Sequence, residues 1–316
     1  MILHRDHTVY GVVMNRTHAS VVVAGSASID TIVMKGRRRR QLGGVVTYGG
    51  ITFRRHGHAT TVVTNVALQD RTVLRALAEE GIRTATGRSP ATTRFVNFVD
   101  GCQRRQTMPA AARPITAGQL VPLVETAAHV HIGALHPDDI DAAALAALSP
   151  ADVSISVDLQ GYARARRGRH IVAGASPLLP RLLALADYVK ADRAELEVVV
   201  HACGYALPEL MEAFALREVI VTEGDRGGYV AVRGGRKIRY RARPVHRIMH
   251  TVGAGDVFFA TYLIHRLHRR EDIALSLRRA ADLVALQIEG RYIRPETLRL
   301  GDMPGTIQNK GASGRP

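Results

Sequence analysis

The segment from His250 to Phe258, with the sequence His-Thr-Val-Gly-Ala-Gly-Asp-Val-Phe, holds the residues best suited to chemistry. The small residues 253–255 let the backbone turn tightly and leave its N–H groups unobstructed. The apolar run that follows, Val257 to Leu267, predicts a helix whose first N–H groups and positive dipole end suit a phosphate. Asp256 would lie beside this anion site, where a carboxylate can take a proton from a hydroxyl that attacks a phosphoryl group. Alternatively, the segment is an ordinary turn, and Asp256 is an acid favoured in the first turn of a helix.

Length and composition indicate a globular protein with one large α/β domain or two smaller ones. The chain has 316 residues, of which 46% are apolar and 22% are charged. No run approaches the roughly 18 apolar residues of a membrane span, and the first residues lack the apolar segment of a secretory signal. Cys102 and Cys203 have no metal-ligand spacing, so a reducing cytoplasm is the expected location.

The charge of the chain is strongly positive, with a formal net charge of +15. Of the 43 basic residues 39 are arginine, but the only block is Arg37–Arg40, and aromatic residues make up just 5%. A nucleic-acid-binding protein would more often concentrate its charge on one element and offer aromatic rings for stacking. Nucleic-acid binding is therefore not expected as the main function, and attraction of anionic nucleotides is a sufficient use for the charge.

Apolar runs rich in β-branched residues predict buried strands that alternate with helical segments. Helices are predicted from Val45 to His56, closed by Gly57, and from Thr72 to Glu80, with Thr72 as a possible N-cap. The strand-like runs are Val21–Ala24, Thr60–Val66, His129–Ile132, Val153–Val157, Tyr188–Val189 and Glu218–Thr222. This alternation predicts a parallel sheet with helices on both faces, and a site at the carboxyl ends of the strands.

A hairpin and two terminal segments complete the predicted organisation. Residues 92–99 and 102–108 are strand-like and flank the turn Asp100-Gly101, which is a strong hairpin signal. Residues 1–18 lack periodicity and are predicted to be a flexible extension. Residues 302–316 are rich in Gly, Pro and polar residues and are predicted to be disordered, which leaves 19–301 as the folded domain.

Several of these motifs, in this order, resemble the ribokinase-like (PfkB) family of sugar, nucleoside and related small-molecule kinases. The motifs are Gly25–Asp30, Gly43-Gly44 followed by Gly57, Lys190–Glu195, Thr222–Gly227 and Gly253–Asp256. The resemblance covers roughly residues 19 to 292. It implies a three-layer α/β sandwich with a mostly parallel central sheet and a small β lid, built from about 31–42 and 92–108. Such a lid excludes water and suppresses hydrolysis of ATP.

The resemblance also implies roles for the residues of the phosphoryl-transfer site. Asp256 looks like the catalytic base, and the amides of Gly253, Ala254 and Gly255 look like the anion hole for the transferring group.

The acceptor side of the site, as the resemblance implies it, consists of Asp30, Gly43, Gly44 and Tyr48. Asp30 would bind substrate hydroxyls, because a carboxylate can accept hydrogen bonds from two vicinal hydroxyls, and the glycines would let the substrate approach the backbone. Asp30 could instead be a helix N-cap after a strand. Tyr48 stands where many sugar kinases of the family carry Asn, so its ring suggests stacking on a sugar face or a base.

The nucleotide side is implied by two further motifs. Asp192 and Glu195 match a family pattern, Asn-x-x-Glu, that organises Mg²⁺ through water, with Asp in place of Asn. The same pair also fits a capping box, and both interpretations can hold together. Thr222, Gly224 and Gly227 resemble the loop on which ATP phosphates and ribose lie, although an ordinary β-turn would look the same.

Other charged residues could add to the site. Asp158 follows a strand on the same edge and could contact nucleotide or substrate. Arg94, Arg104 and Arg105 could reach an anion or form a solvated charged edge strand. His250 stands where the family usually has an Asp that is tied to a monovalent-cation site, which predicts that activity does not depend on K⁺.

The predicted function is that of an ATP-dependent, Mg²⁺-using kinase that phosphorylates a hydroxyl of a sugar, polyol or nucleoside, with a possible homodimer through the lid. The alternative is a catalytically silent PfkB-like binding or regulatory protein. His250 and Tyr48 favour the alternative, and the intact Gly253–Asp256 motif weighs against it.

Overall fold

A computed structural model describes residues 20–34, 37–100, 103–149, 152–249 and 251–300. The predicted terminal segments 1–18 and 302–316, as well as Cys102 and His250, lie outside these residues. The strands in the described residues are β1 (Ser20–Ala24), β2 (Ser28–Met34), β3 (Arg37–Gly43), β4 (Ala59–Val63), β5 (Val66–Ala67), β6 (Arg83–Ala85), β7 (Arg88–Ser89), β8 (Arg94–Asp100), β9 (Gln103–Ala110), β10 (His129–Ile132), β11 (Ser154–Asp158), β12 (Arg164–Arg167), β13 (His170–Ala173), β14 (Tyr188–Asp192), β15 (Glu218–Thr222), β16 (Gly228–Val232) and β17 (Lys237–Tyr240).

The α-helices described are α1 (Val45–Arg55), α2 (Thr72–Glu79), α3 (Ala117–Val124), α4 (Ala142–Ala147), α5 (Leu179–Leu185), α6 (Arg193–Cys203), α7 (Leu207–Ala213), α8 (Ala254–Leu263) and α9 (Ile273–Ile288). Among the described residues no helix is long and apolar enough to cross a bilayer.

The main sheet has nine strands in the order β17-β16-β15-β14-β11-β10-β1-β4-β6. The seven strands from β15 to β6 pair in parallel, and β16 and β17 pair antiparallel at one edge. The central strands are buried on both faces, as the β-branched run of β1 predicts, because helices cover both sides. One apolar core packs α3 to α7 against the sheet, and a second packs α1, α2, α8 and α9 against the opposite face. The predicted fold class is therefore confirmed.

A second sheet of six strands, in the order β12-β13-β9-β8-β2-β3, forms the lid. Strands β2 and β3 form one hairpin, and strands β8 and β9 form another that pairs with β2 in parallel. These four strands occupy the segments that the resemblance assigned to the lid. The hairpin of β12 and β13 joins the same sheet, because His170 of β13 pairs with Thr107 of β9. No sequence pattern predicted this hairpin.

Two helix boundaries differ from the predictions. Thr72 is the first residue of α2 and not its N-cap, because a 3₁₀ turn at Leu68–Asp70 runs directly into the helix through Arg71. The helix predicted to reach Leu267 ends as an α-helix at Leu263 and continues as a π-helical turn, Ile264–His268. The amide of Arg269 donates to the carbonyl of Ile264 five residues earlier, which is the hydrogen bond of a π-helix.

Candidate active site

A cavity of about 830 Å³ lies between the lid and the carboxyl ends of the main-sheet strands. The carboxyl ends of β14 and β15, the start of α8 and residues of the lid line it, as expected for parallel α/β sheets. The predicted site residues that line it are Asp30, Gly44, Tyr48, Asp192, Glu195, Thr222, Gly224, Gly253, Ala254, Gly255 and Asp256. Gly43 and Gly227 are not among the lining residues of this cavity.

The start of α8 is shaped by two glycines that have different neighbours. Gly253 is the N-cap with φ of +76°, a left-handed conformation that favours glycine. A Cβ atom at Gly253 would overlap the ring of Tyr48. At Gly255, a Cβ atom would lie 3.1 Å from Nζ of Lys190. Residue 253 can therefore approach the Tyr48 ring only because it lacks a Cβ atom, whereas a Cβ atom at residue 255 would require a small shift of the Lys190 side chain.

Asp256 is buried in the first turn of α8, at 9% exposure, and lines the cavity. Burial raises the pKa of Asp256 to about 7, and the Asp158 carboxylate raises it as well, whereas the Lys190 ammonium acts in the opposite direction. The carboxyl group thus changes charge near neutral pH. A group with this pKa can accept a proton from a hydroxyl and later return it.

Lys190 is a buried cation among acidic groups. Its Nζ lies 3.0 Å from Oδ2 of Asp158, while Oδ1 of Asp158 accepts a hydrogen bond from the amide of Gln160. Burial acts to lower the pKa of Lys190, but Asp158, Glu195 and Asp256 outweigh this effect and raise it. The ammonium therefore stays charged beneath the start of α8, where it adds positive charge to the helix N–H groups.

Asp192 and Glu195 form the capping box of α6. The amide of Glu195 donates to Oδ1 of Asp192, and the amide of Asp192 donates to Oε2 of Glu195, both over 2.8 Å. The other carboxylate oxygens, Oδ2 of Asp192 and Oε1 of Glu195, have no hydrogen-bond partner among the described residues. Both residues also line the cavity. The capping interpretation is therefore correct, and it leaves one oxygen of each carboxylate available for another ligand.

A cation between these oxygens would need further ligands. Within the described residues, no group of three or more His, Cys, Asp or Glu side chains could enclose a metal ion. Two carboxylate oxygens at the cavity wall fit Mg²⁺, which usually keeps several waters and is completed by substrate phosphates.

At the acceptor end, Asp30 lies inside β2, and no helix follows it, so the N-cap interpretation is wrong. Its Oδ1 accepts a hydrogen bond from the hydroxyl of Ser28 over 2.7 Å. A Cβ atom at Gly43 would lie within 2.6 Å of the Asp30 carboxyl carbon, so this glycine makes room for the carboxylate. Gly44, with φ of +95°, turns the chain from β3 into α1.

Tyr48 lies on α1, where its ring packs against the backbone of Gly253. The side chain is fully buried, and burial raises the pKa of the phenol well above its usual range. Its hydroxyl accepts a long hydrogen bond of 3.4 Å from the amide of Gln41. The ring thus supports the start of α8, and its stacking on an acceptor stays a prediction.

The donor end combines a turn with an apolar wall. Thr222 ends β15, Gly224 begins a 3₁₀ turn, and Gly227, with φ of +92°, packs against the backbone of residues 240–242. The apolar wall consists of Val245, Ile248, Ala281, Val284, Ala285 and Ile288. The cavity also has polar lining residues, among them Asp30, Gln106, Gln160 and Arg164.

Sequence reasoning missed Arg164 and Gln106 and gave Lys190 no role. A guanidinium nitrogen of Arg164 donates to Oε1 of Gln106 over 3.3 Å, which links β12 to β9 above the cavity. Lys190 could have been found, because it is a lone lysine in an apolar strand that ends at the Asp192 motif. Arg164 gave no signal, since its strand was not predicted.

The predicted lid arginines do not act together. The guanidinium of Arg94 forms an ion pair with Asp70, with a shortest N–O distance of 2.7 Å, and does not line the cavity. Arg105 is exposed on β9, and the side chain of Arg104 lies outside the described part of the chain. The alternative, a solvated charged edge strand, is also wrong for Arg94 and Arg105, because β8 and β9 lie inside the six-stranded sheet and β12 and β3 form its edges.

Comparisons with known proteins agree with this architecture. A model described as the pfkB family carbohydrate kinase matches residues 19–295. A comparison with curated sequences gave no significant match. Among solved structures, the chain is similar to a pyrophosphate-dependent kinase in the ribokinase family, complexed with a pyrophosphate analogue and myo-inositol. The TM-score is 0.75 at 23% identity, and the match covers 88% of this chain and 98% of the other.

Two further structures extend the comparison. A nucleoside kinase from Burkholderia thailandensis, in complex with inosine, matches with a TM-score of 0.68 at 18% identity, covering 85% of this chain and 91% of the other. Ribokinase from Arabidopsis thaliana, complexed with ribose and ATP, matches with a TM-score of 0.67 at 17% identity, covering 89% and 96%. Because the family model spans the chain from its first strand to beyond α9, the protein belongs to the pfkB carbohydrate kinases, which transfer a phosphoryl group to an alcohol acceptor.

Proposed function

We propose that the protein transfers the γ-phosphoryl group of ATP to a hydroxyl of a sugar, polyol or nucleoside, with Asp256 as the base. One observation carries the proposal. A buried carboxyl group with a pKa of about 7 lines the cavity at the positive end of α8, between a polar end and an apolar end. A base at that point can meet both an acceptor hydroxyl and a phosphoryl group.

The proposed chemistry divides among three groups of this site. Ionised Asp256 accepts the proton of the acceptor hydroxyl as its oxygen attacks phosphorus. The N–H groups of Gly253 and Gly255 stabilise the charge that develops on the phosphoryl oxygens. The N–H of Ala254 donates to the carbonyl of Thr251 over 3.3 Å, so the anion hole proposed here does not include it. Lys190, which lies beside Gly255 and stays charged, adds a fixed cation to the same region.

The proposed donor is ATP because the apolar wall suits a purine base, and bare pyrophosphate would leave that wall without a partner. Pyrophosphate is the second candidate, since a similar structure is that of a pyrophosphate-dependent kinase. Asp192 and Glu195 would hold Mg²⁺ through water with their outward oxygens. When bound, Mg²⁺ neutralises charge on the donor phosphates.

The acceptor end supports a hydroxyl-rich substrate, in line with the myo-inositol and ribose of the similar structures. Asp30 would accept hydrogen bonds from two hydroxyls, and Gln106 and Gln160 offer both donors and acceptors. A silent, ligand-binding protein is the competing proposal. A cytoplasmic location, a homodimer through the lid and independence of K⁺ stay predictions.

The proposal is tested by measuring phosphorylated product for a panel of sugars, polyols and nucleosides with ATP or pyrophosphate as donor. We expect turnover with ATP and at least one acceptor, and a decrease of roughly 10²-fold in Asp256→Asn. Asp138→Asn, which changes an exposed carboxylate outside the cavity, is the matched control and should retain full activity. Wild-type turnover in Asp256→Asn would reject this base. Binding of ATP without turnover for any acceptor would favour the silent protein.

A further inference from the structure

A second cavity, of about 340 Å³, lies on the face of α9 opposite the apolar wall of the first. It is enclosed by the end of α1, the π-helical turn and α9. Its polar lining comes from His56, His265, Arg269, Arg279 and Asp282. None of these residues lines the catalytic cavity, so the second cavity is a separate feature of the molecule.

Two arginines, Arg269 and Arg279, and one carboxylate, Asp282, line this cavity. Asp282 accepts a hydrogen bond from Arg243, and the carboxylate of Glu271 lies 3.1 Å from Nδ1 of His265. Arg269 and Arg279, in contrast, have no ion pair with any described residue. Two guanidinium groups thus face the cavity with no carboxylate bound to them.

The histidines of the cavity respond to this positive charge. Burial lowers the pKa of His56 and of His265, and the Arg269 guanidinium lowers both further. The Arg279 guanidinium lowers the pKa of His265 as well. The Glu271 carboxylate acts in the opposite direction on the pKa of His265, and burial together with the guanidinium groups outweighs it.

We propose that this cavity binds a phosphate group. Each guanidinium group offers paired N–H donors that match the oxygens of a phosphate group, and two such groups line this cavity. The remaining wall includes Leu283 and Leu286, which could contact a small carbon skeleton attached to the phosphate. The phosphate group could come from inorganic phosphate or from a phosphomonoester, and the leucine wall distinguishes the two sources.

The position of the site connects it to the catalytic cavity through α9. Asp282 lines the second cavity, and its partner Arg243 lines the first. After Leu283, the α9 residues Val284 and Ala285 belong to the apolar wall of the catalytic cavity. A phosphate group bound by Arg269 and Arg279 would therefore lie across α9 from the apolar wall of the catalytic cavity.

The site can be tested on the full chain by recording imidazole signals in long-range ¹H–¹⁵N spectra during titration with inorganic phosphate at constant ionic strength. His56→Gln and His265→Gln spectra assign the two signals. We expect both signals to shift and saturate. In Arg269→Gln/Arg279→Gln the apparent affinity should fall roughly tenfold or more, because charge-assisted hydrogen bonds are lost. Phosphate bound in the catalytic cavity does not account for these shifts, since the imidazoles of His56 and His265 line only the second cavity.

Arg278→Gln is the matched control, because it removes the same charge from the neighbouring, exposed residue that does not line the cavity. It should retain the wild-type titration. A repeat with glycerol phosphate identifies the source, since tighter binding than inorganic phosphate would indicate a phosphomonoester. Unshifted imidazole signals in the wild-type protein, or equal titrations in the double variant, would overturn the proposal. The result does not depend on kinase activity.

Discussion

Replacing Gly253 with alanine should damage the start of α8 more than the backbone conformation alone explains. The residue has φ of +76°, and a Cβ atom would overlap the ring of Tyr48, which is fully buried on α1. The ring belongs to the apolar core on one side and borders the cavity on the other, so any displacement costs core packing or occupies the cavity. The helix start must therefore shift away from α1 or the ring must be displaced.

The magnitude follows from two contributions. A left-handed conformation costs a residue with a Cβ atom about 1–2 kcal/mol. Forcing extra volume into a packed core costs typically about 1–3 kcal/mol more. Gly253→Ala should therefore lower the free energy of unfolding by about 2–5 kcal/mol. It should also lower turnover, because the N–H groups of the proposed anion hole start at this residue.

The assay is urea unfolding of the full chain with linear extrapolation, together with turnover on the acceptor found in the screen. Gly168→Ala is the matched control, since Gly168 has φ of +62° and a Cβ atom there would meet nothing within 4 Å. This variant measures the backbone contribution alone and should lose only about 1–2 kcal/mol. Equal losses in the two variants, with turnover retained in Gly253→Ala, would refute the contact between Tyr48 and the helix start.

Further predictions concern ionisation and acceptor binding. The ratio kcat/KM should increase as pH rises through about 7, because Asp256, with its raised pKa, must be ionised to accept a proton; a pH profile without this step would contradict the assignment. In Arg164→Met the midpoint of this pH profile should move to higher pH, since the Arg164 guanidinium lowers the pKa of Asp256. Arg167→Met, which changes an exposed residue on the same strand, should leave the pH profile unchanged. Asp30→Ala should raise the acceptor KM while ATP affinity persists, because a charged hydrogen-bond partner worth about 1.5–3 kcal/mol is lost; unchanged acceptor kinetics would leave Asp30 a structural role. Burial lowers the pKa of the His131 imidazole to about 4. Between pH 6.5 and pH 4 the unfolded chain therefore protonates this imidazole and the folded chain does not, so the free energy of unfolding should fall by up to about 3 kcal/mol by pH 4. Urea unfolding of the wild type and His131→Gln at several pH values measures the difference.

The main sheet could be predicted because its strands are buried on both faces and carry their own signal. Runs such as Val21–Ala24 and Glu218–Thr222 are apolar and rich in β-branched residues, and they became β1 and β15 with little change. The small residues before Asp256 likewise predicted the start of α8, because a tight left-handed turn before a helix favours glycine.

Features that depend on tertiary contacts could not be predicted in the same way. Strand β12 has the sequence Arg-Ala-Arg-Arg and pairs only with β13, which in turn pairs with β9 at a single position. Its local sequence favours no particular structure. The role of Lys190 was missed for a related reason, since two of the three carboxylates that raise its pKa, those of Asp158 and Asp256, come from distant parts of the chain.

The lid described above is assembled from three separate chain segments, residues 28–43, 94–110 and 164–173. Each segment contributes polar side chains to the cavity, namely Ser28 and Asp30 from the first, Gln106 from the second and Arg164 from the third. The lid therefore cannot be exchanged between related proteins by replacing one continuous stretch of sequence, because all three segments would have to be replaced together. For the same reason, acceptor preference can be altered by engineering one hairpin while the other two keep their pairing.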